Sequence, residues 1–323
     1  MSHASFISAM KKILCLGLTP ALQRTLLFDA LTTNSVNRAT RVIESAAGKA
    51  LNTARALSTL SMPAEVAGLN GGSTGRKIEA FLKKYGVESV QTTMKAETRI
   101  CTTLIDLKQG TITELVEEAP DPGEGTLRRF KQANLKRLAE ASALVISGTL
   151  PPFAIETFYR PFVREAIARR LPVIIDSHKA PLLHLLPERP LLVKLNWHEL
   201  ETTFQHTLKT EQQLKRDMKE LVALGAQNVV ITQGAKAAYL LTQEGSFHRL
   251  LPPQLAEVVN PIGSGDCTTA GLVCKLMHGK PLSDALAFGL ACGTANAMTP
   301  TPADFDPKLA TRLYKKIRME SLD

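Results

Sequence analysis

The run Asn260-Pro261-Ile262-Gly263-Ser264-Gly265-Asp266 opens an apolar, helix-like stretch from Cys267 to Met277. Two glycines around Ser264 let the backbone bend tightly and turn several N–H groups toward one point. A helix beginning there adds the positive end of its dipole, so Gly263, Ser264 and Gly265 form a candidate anion hole. Asp266 sets a carboxylate beside that hole, where it would repel a bound phosphate unless it had a task. Accepting the proton of an attacking hydroxyl during phosphoryl transfer is such a task. The plainer alternative is an ordinary helix start with an aspartate cap.

Two further clusters suit the same chemistry. Gly48 sits in the turn Ala47-Gly48-Lys49-Ala50-Leu51-Asn52, ahead of a helical pattern. Lys49 there opposes the helix dipole, a conflict that a bound phosphate would resolve. Asn52, one turn on, offers a donor and an acceptor to sugar hydroxyls, or simply caps the helix. The segment Lys194-Leu195-Asn196-Trp197-His198-Glu199 follows a buried strand. Asn196 and Glu199 share one face of a starting helix and could hold a hydrated Mg²⁺ against triphosphate oxygens. The alternative is a capping box, with Asn as cap and Glu at the third position. The glycine-rich run Gly71–Lys77 lacks the spacing of a P-loop and reads as a tight turn before a helix at 77–85; no G-x-G-x-x-G loop is present.

Stepping outward, apolar runs at 13–18, 64–67, 143–147, 172–176, 191–195 and 228–232 have the composition of buried strands. Helical patterns at 49–60, 75–85, 126–140, 155–169, 211–224, 265–278, 282–297 and 307–318 separate or follow them. This alternation predicts an α/β fold with a doubly wound sheet that binds ligands at the carboxyl ends of its strands. Residues 24–42 and 98–117 carry short β-prone pieces without helices, which predicts a small accessory sheet. The expected organisation is a single domain over 12–318, lid segments at 20–45 and 92–118, and loose tails at 1–11 and 319–323.

Composition narrows the partners. A net charge of +9 points to anionic ligands, but with 5% aromatic residues and scattered basic ones there is no nucleic-acid platform. No apolar run reaches the length of a membrane span, and the first residues lack the core of a signal peptide, so a cytoplasmic protein is expected. The five cysteines form no CxxC pair, and Cys15, Cys274 and Cys292 lie in apolar runs as reduced core residues do.

Together these motifs resemble the PfkB family of carbohydrate kinases, in the branch of 1-phosphofructokinases and tagatose-6-phosphate kinases. The resemblance runs from about Ile13 to Ala297. It includes Thr19-Pro20-Ala21-Leu22, Thr98-Arg99, Thr113-Glu114-Leu115 and Ser147-Gly148-Thr149-Leu150-Pro151-Pro152 beside the clusters above. It implies a ribokinase-like, three-layer fold with a β-sheet lid, and ATP and Mg²⁺ as cofactors, with a monovalent cation as a further expectation. Asp266 then corresponds to the catalytic base, and Gly263, Ser264 and Gly265 to the anion hole. Gln23, Gly48, Lys49, Asn52 and Arg99 fall where the acceptor and its phosphate are held. Lys194, Asn196, Glu199, Thr232, Gly234 and Asn296 fall in the ATP site, with Asn196 and Glu199 reaching Mg²⁺ through water.

The implied partners are ATP and a sugar or sugar phosphate, with neither nucleic acid nor membrane, and a second copy through the lid as a homodimer. A ketohexose phosphate is the expected acceptor: fructose 1-phosphate, fructose 6-phosphate or tagatose 6-phosphate. An unphosphorylated sugar or nucleoside, or a weakly catalytic sugar-phosphate-binding regulator, is the alternative. Gln23 stands where relatives carry Asp, and Ala47, Ala50 and Ala237 where they carry Gly. Those alanines require either negative φ or shifted loops.

Overall fold

A computed structural model describes residues 11–322. The expected tail at 1–11 therefore lies outside the described residues, apart from Lys11. Strand β1, Lys12–Leu16, sends alternate side chains to two faces of a sheet. Ile13 and Cys15 enter one hydrophobic core while Leu14 and Leu16 enter another, all of them buried. A strand covered on both faces reads as a continuous apolar run, which is why it was visible without an alternating pattern.

The chain continues through β2 (Ala21–Phe28), β3 (Arg41–Ala47), α1 (Lys49–Thr59), β4 (Ala64–Asn70), α2 (Gly72–Lys84) and β5 (Glu88–Thr93). Next come β6 (Ile100–Asp106), β7 (Thr111–Val116), α3 (Glu124–Arg137), β8 (Ala141–Ser147), α4 (Arg160–Ala168) and β9 (Val173–Asp176). After α5 (Lys179–Leu183) follow β10 (Leu192–Asn196), α6 (Trp197–Phe204), α7 (Glu211–Ala223) and β11 (Val229–Thr232). The last part holds β12 (Ala238–Leu241), β13 (Phe247–Leu251), α8 (Ser264–Met277), α9 (Leu282–Asn296), α10 (Pro307–Tyr314) and β14 (Arg318–Ser321).

Ten strands form one sheet in the order β14-β13-β12-β11-β10-β9-β8-β1-β4-β5. From β11 to β5 every neighbouring pair is parallel, and β12, β13 and β14 add an antiparallel edge. Helices α1, α2, α8, α9 and α10 supply the core on one face, and α3, α4, α5, α6 and α7 the core on the other, giving three layers. Between β1 and β8 the winding reverses, the place where a doubly wound sheet opens a crevice. A separate four-stranded sheet, β3-β2-β6-β7, forms the lid.

The structure moves three boundaries. The run Gly71–Lys77 is the first turn of α2, not a turn before it. Glu97 accepts from the Thr74 N–H at 2.6 Å and the Ser73 hydroxyl at 2.8 Å, so an acidic cap stabilises the glycine-rich start. The helix expected at 155–169 begins at Arg160, where Pro161 fits the first helical positions. The expected tail at 319–323 is largely strand: β14 pairs antiparallel with β13, and Arg249 bonds Glu320 across that pair at 2.6 Å.

Candidate active site

The N-terminus of α8 is fixed by its backbone. Gly263 caps it with φ 83, and a Cβ there would lie 2.8 Å from the Ala303 nitrogen. Further along, a Cβ on Gly289 of α9 would lie 2.4 Å from the Thr268 carbonyl oxygen, so the two helices touch almost backbone to backbone. Asn296, expected in the ATP site, is fully buried instead. Its amide donates to Ile262 O at 2.9 Å and to Ser264 Oγ at 3.0 Å, bracing the glycine turn from beneath. The Ser264 N–H turns back to Pro261 O at 3.1 Å, so the first-turn donors open to an anion are those that follow it.

Asp266 sits in that first turn, buried, and accepts from Asn52 Nδ2 at 2.7 Å. Burial pushes its carboxyl up to about 7, with the nearby negative charge of Asp176 adding to the rise and Lys49 opposing it. A carboxyl near neutrality is suited to accept a proton and release it again.

Lys49 and Gly48 lie at the start of α1, with Gly48 as its cap at φ 114. The conflict between Lys49 and the helix dipole is met within the chain by two carboxylates. Lys49 Nζ lies 2.7 Å from Glu199 Oε1 and 3.2 Å from Asp176 Oδ1. Lys194 Nζ meets the other oxygen of Asp176 at 2.8 Å, where Thr269 also donates at 2.8 Å. Burial works against the charge on Asp176, yet Lys194 and Lys49 hold its carboxyl well below the usual range. Burial likewise opposes charge on Glu199, but Lys49 and Lys194 together bring its carboxyl below the ordinary value. Asp176 was missed in the sequence. Its one signal was its place at the carboxyl end of the run 172–176.

Asn196 and Glu199 form the capping box: Asn196 Oδ1 accepts from Glu199 N, and Glu199 Oε2 from Asn196 N, both at 2.8 Å. Both Glu199 oxygens are thereby engaged. Among the described residues no group of three or more His, Cys, Asp or Glu side chains could hold a metal. Asn196 and Glu199 would therefore meet Mg²⁺ only through its water shell.

The site opens into a cavity of about 320 Å³ whose lining includes Lys49, Asn52, Asp176, Lys194, Glu199 and Asp266 from the body. Thr232, Asn196, Gly48, Gly263 and Gly265 also line it, while Gly234, at φ 56 in the β11–β12 turn, does not. The lid contributes Gln23 and Glu114, and Arg99 enters beside it. Gln23 is buried and donates to Thr103 Oγ1 at 2.8 Å. Arg99 is held by Glu117 O at 3.0 Å and Thr19 O at 3.1 Å. Ala47, Ala50 and Ala237 all have negative φ, so these loops need no glycine there. All five cysteines are buried and free. No helix of the described residues is long and apolar enough to cross a membrane.

The chain matches the pfkB family carbohydrate kinase over residues 10–308. It is 30% identical over 310 residues to a 1-phosphofructokinase of Borreliella burgdorferi, covering 96% of this chain and 99% of that protein. It is 28% identical over 310 residues to a tagatose-6-phosphate kinase of Staphylococcus epidermidis, covering 95% and 99%. Among solved structures, one of a possible 1-phosphofructokinase from Thermotoga maritima superimposes with a TM-score of 0.89 at 24% identity, over 97% of this chain and 100% of that one. Arabidopsis thaliana ribokinase, at 18% identity, superimposes with a TM-score of 0.76 over 95% and 99%.

Proposed function

Because the chain belongs to the pfkB family of carbohydrate kinases, we propose that it transfers the γ-phosphoryl group of ATP to a hydroxyl of a ketohexose phosphate. The observation that carries this reading is Asp266: a buried carboxyl brought near neutrality, in the first turn of a helix whose free N–H groups face the same cavity. Asp266 takes the proton of the attacking hydroxyl as the oxygen–phosphorus bond forms. The α8 amides stabilise charge on the transferred group. Asn52 holds the Asp266 carboxylate in place. Mg²⁺ bound to ATP supplies neutralisation of the phosphate charge. Thr232, Asn196 and Lys194 line the same cavity and on this reading hold the nucleotide.

Arg99 favours a phosphorylated acceptor. Lys49 is already neutralised by two carboxylates, whereas Arg99 has only carbonyl partners and a buried Nε without a partner. A neutral sugar would leave that guanidinium unmatched. The names of the relatives point to the same class of acceptor. The proposal extends to a cytoplasmic enzyme with ATP as donor, and to pairing of two copies through lids that expose Val42, Leu107 and Leu115.

The test is ADP release from ATP and Mg²⁺ with fructose 1-phosphate, fructose 6-phosphate, tagatose 6-phosphate and the free sugars. Turnover should be confined to the phosphates. Arg99→Ala should raise their KM by about tenfold or more, the scale of a lost charge-assisted pair, and leave KM for ATP nearly unchanged. Preference for free sugars would overturn the acceptor class.

A further inference from the structure

The lid wall of the cavity holds a charged residue that the proton transfer does not use. Glu114 lies on β7 directly opposite Thr103 of β6 in the strand register. Thr103 in turn accepts the hydrogen bond of Gln23 from β2. A polar row thus crosses three adjacent strands, and both of its ends, Gln23 and Glu114, reach the cavity.

Charge pairing separates Glu114 from the other acidic groups of the site. Asp176 and Glu199 are each bound by lysine, and Asp266 accepts from Asn52. Glu114 has no cation within ion-pair distance among the described residues; Arg99 is the one charge close enough to influence it. Arg99 has no carboxylate partner either, its guanidinium being held by two backbone carbonyls. The two unpaired charges of opposite sign line one cavity of about 320 Å³, the scale of a single small metabolite. Glu114 remains exposed to solvent where it lines the cavity, so an incoming ligand can reach it.

An acceptor that satisfies both charges carries an anionic group for Arg99 and, set apart from it, hydroxyls for Glu114. A carboxylate accepts hydrogen bonds only, and it can take two neighbouring hydroxyls at once. Gln23 donates to Thr103 through Nε2 and offers a single neutral amide oxygen as acceptor, not the two charged oxygens of a carboxylate. We propose that Glu114 is the specificity-determining residue for the acceptor, reading the hydroxyls of a polyhydroxylated phosphate ester while Arg99 reads its phosphate. The inference rests on the reading of this cavity as the acceptor site.

The experiment compares Glu114→Gln and Glu114→Asp with the wild type, using whichever of fructose 1-phosphate, fructose 6-phosphate or tagatose 6-phosphate is turned over fastest, and deoxy analogues of that compound. Glu114→Gln should raise KM for the intact acceptor about tenfold or more, the scale of a lost hydrogen bond to a charged group. KM for ATP should stay within about twofold and kcat should change less than the acceptor KM. One deoxy analogue should bind wild type and variant alike, because its missing hydroxyl is the one Glu114 holds. Glu114→Asp should fall between the two. An unchanged acceptor KM, or equal penalties on all analogues, would overturn the inference while leaving the kinase reading intact. Absence of turnover of any sugar phosphate by the wild type would overturn both.

Discussion

The two walls of the cavity are built on opposite principles. On the body wall, Lys49, Lys194, Asp176 and Glu199 are mutually paired, and each is anchored on an element of the ten-stranded sheet or a helix packed on it. Asp266 there is pinned by Asn52 and by a helix pressed against its neighbour. On the lid wall, Arg99 and Glu114 face the cavity without ion-pair partners, and β7 is the edge of a four-stranded sheet. Paired, buried charges cannot reorganise cheaply, so they suit a chemical step whose geometry must not vary. Unpaired charges on a thin sheet suit recognition, because a ligand completes them. On the proposed function, chemistry belongs to the body and choice of acceptor to the lid.

The largest effect that could break this division is on Asp266. Asp266→Asn should lower kcat by at least about a hundredfold, within the range of general-base catalysis, while ATP binding measured by calorimetry persists. The pH profile gives an independent check. The base works only when deprotonated, so with its carboxyl near 7 wild-type kcat/KM should fall as pH drops through that region. Each further unit of acid should cost about tenfold, and the Asn variant should lose this limb. Wild-type turnover in Asp266→Asn would move the chemistry off the body wall.

Asp266 was legible because its signal is local: two glycines, a small residue and an acid at a helix start. Asp176 was not, although it is the hinge of the charge network. Its partners Lys49 and Thr269 lie 127 and 93 residues away in the chain, and an Asp ending an apolar run looks like any strand terminus. The ion pairs of Lys49 were hidden for the same reason, since the carboxylates that neutralise it are remote in sequence. The parallel strands could be read from continuous apolar runs covered on both faces. The antiparallel edge could not: β12 and β13 are short, β12 follows β11 through a turn at Gly234 and β13 follows β12 through one at Gly245, and β14 has exposed Arg318 and Met319 in place of an apolar run. Gly263 and Asn296 show the two ways a site residue can act. One caps the helix and lines the cavity, whereas the other supports that turn without reaching the cavity.

Asp176 gives the second test, on stability. Asp176→Asn leaves Lys194, almost fully buried, without its counter-charge. Breaking a buried pair in this way costs about 3–5 kcal/mol, read as a lower urea midpoint. The matching change on the lid, Glu114→Gln, breaks no ion pair and should cost no more than about 0.5 kcal/mol. The sign with pH follows from the lowered Asp176 carboxyl. Its contribution is present above the ordinary aspartate range and is lost only as acid reaches the lowered value. Equal costs for the two variants would erase the distinction between a paired and an unpaired wall.

The smallest effect sharpens the division within the lid itself. Arg24 is adjacent to Gln23 on β2, and by strand alternation it points to the opposite face. It lies 3.6 Å from Glu44, which Lys77 of α2 also approaches at 3.3 Å, and it does not line the cavity. A half-exposed pair of this kind contributes about 0–1 kcal/mol, so Arg24→Ala should change the melting temperature little. Because its charge faces away from the acceptor, KM for the sugar phosphate should stay within about twofold of wild type, against the tenfold or greater rise from Arg99→Ala. The comparison uses two arginines on neighbouring lid segments, one inside the cavity and one outside. A KM rise from Arg24→Ala as large as that from Arg99→Ala would mean that the lid reads its acceptor through net positive charge rather than through the side chains that line the cavity.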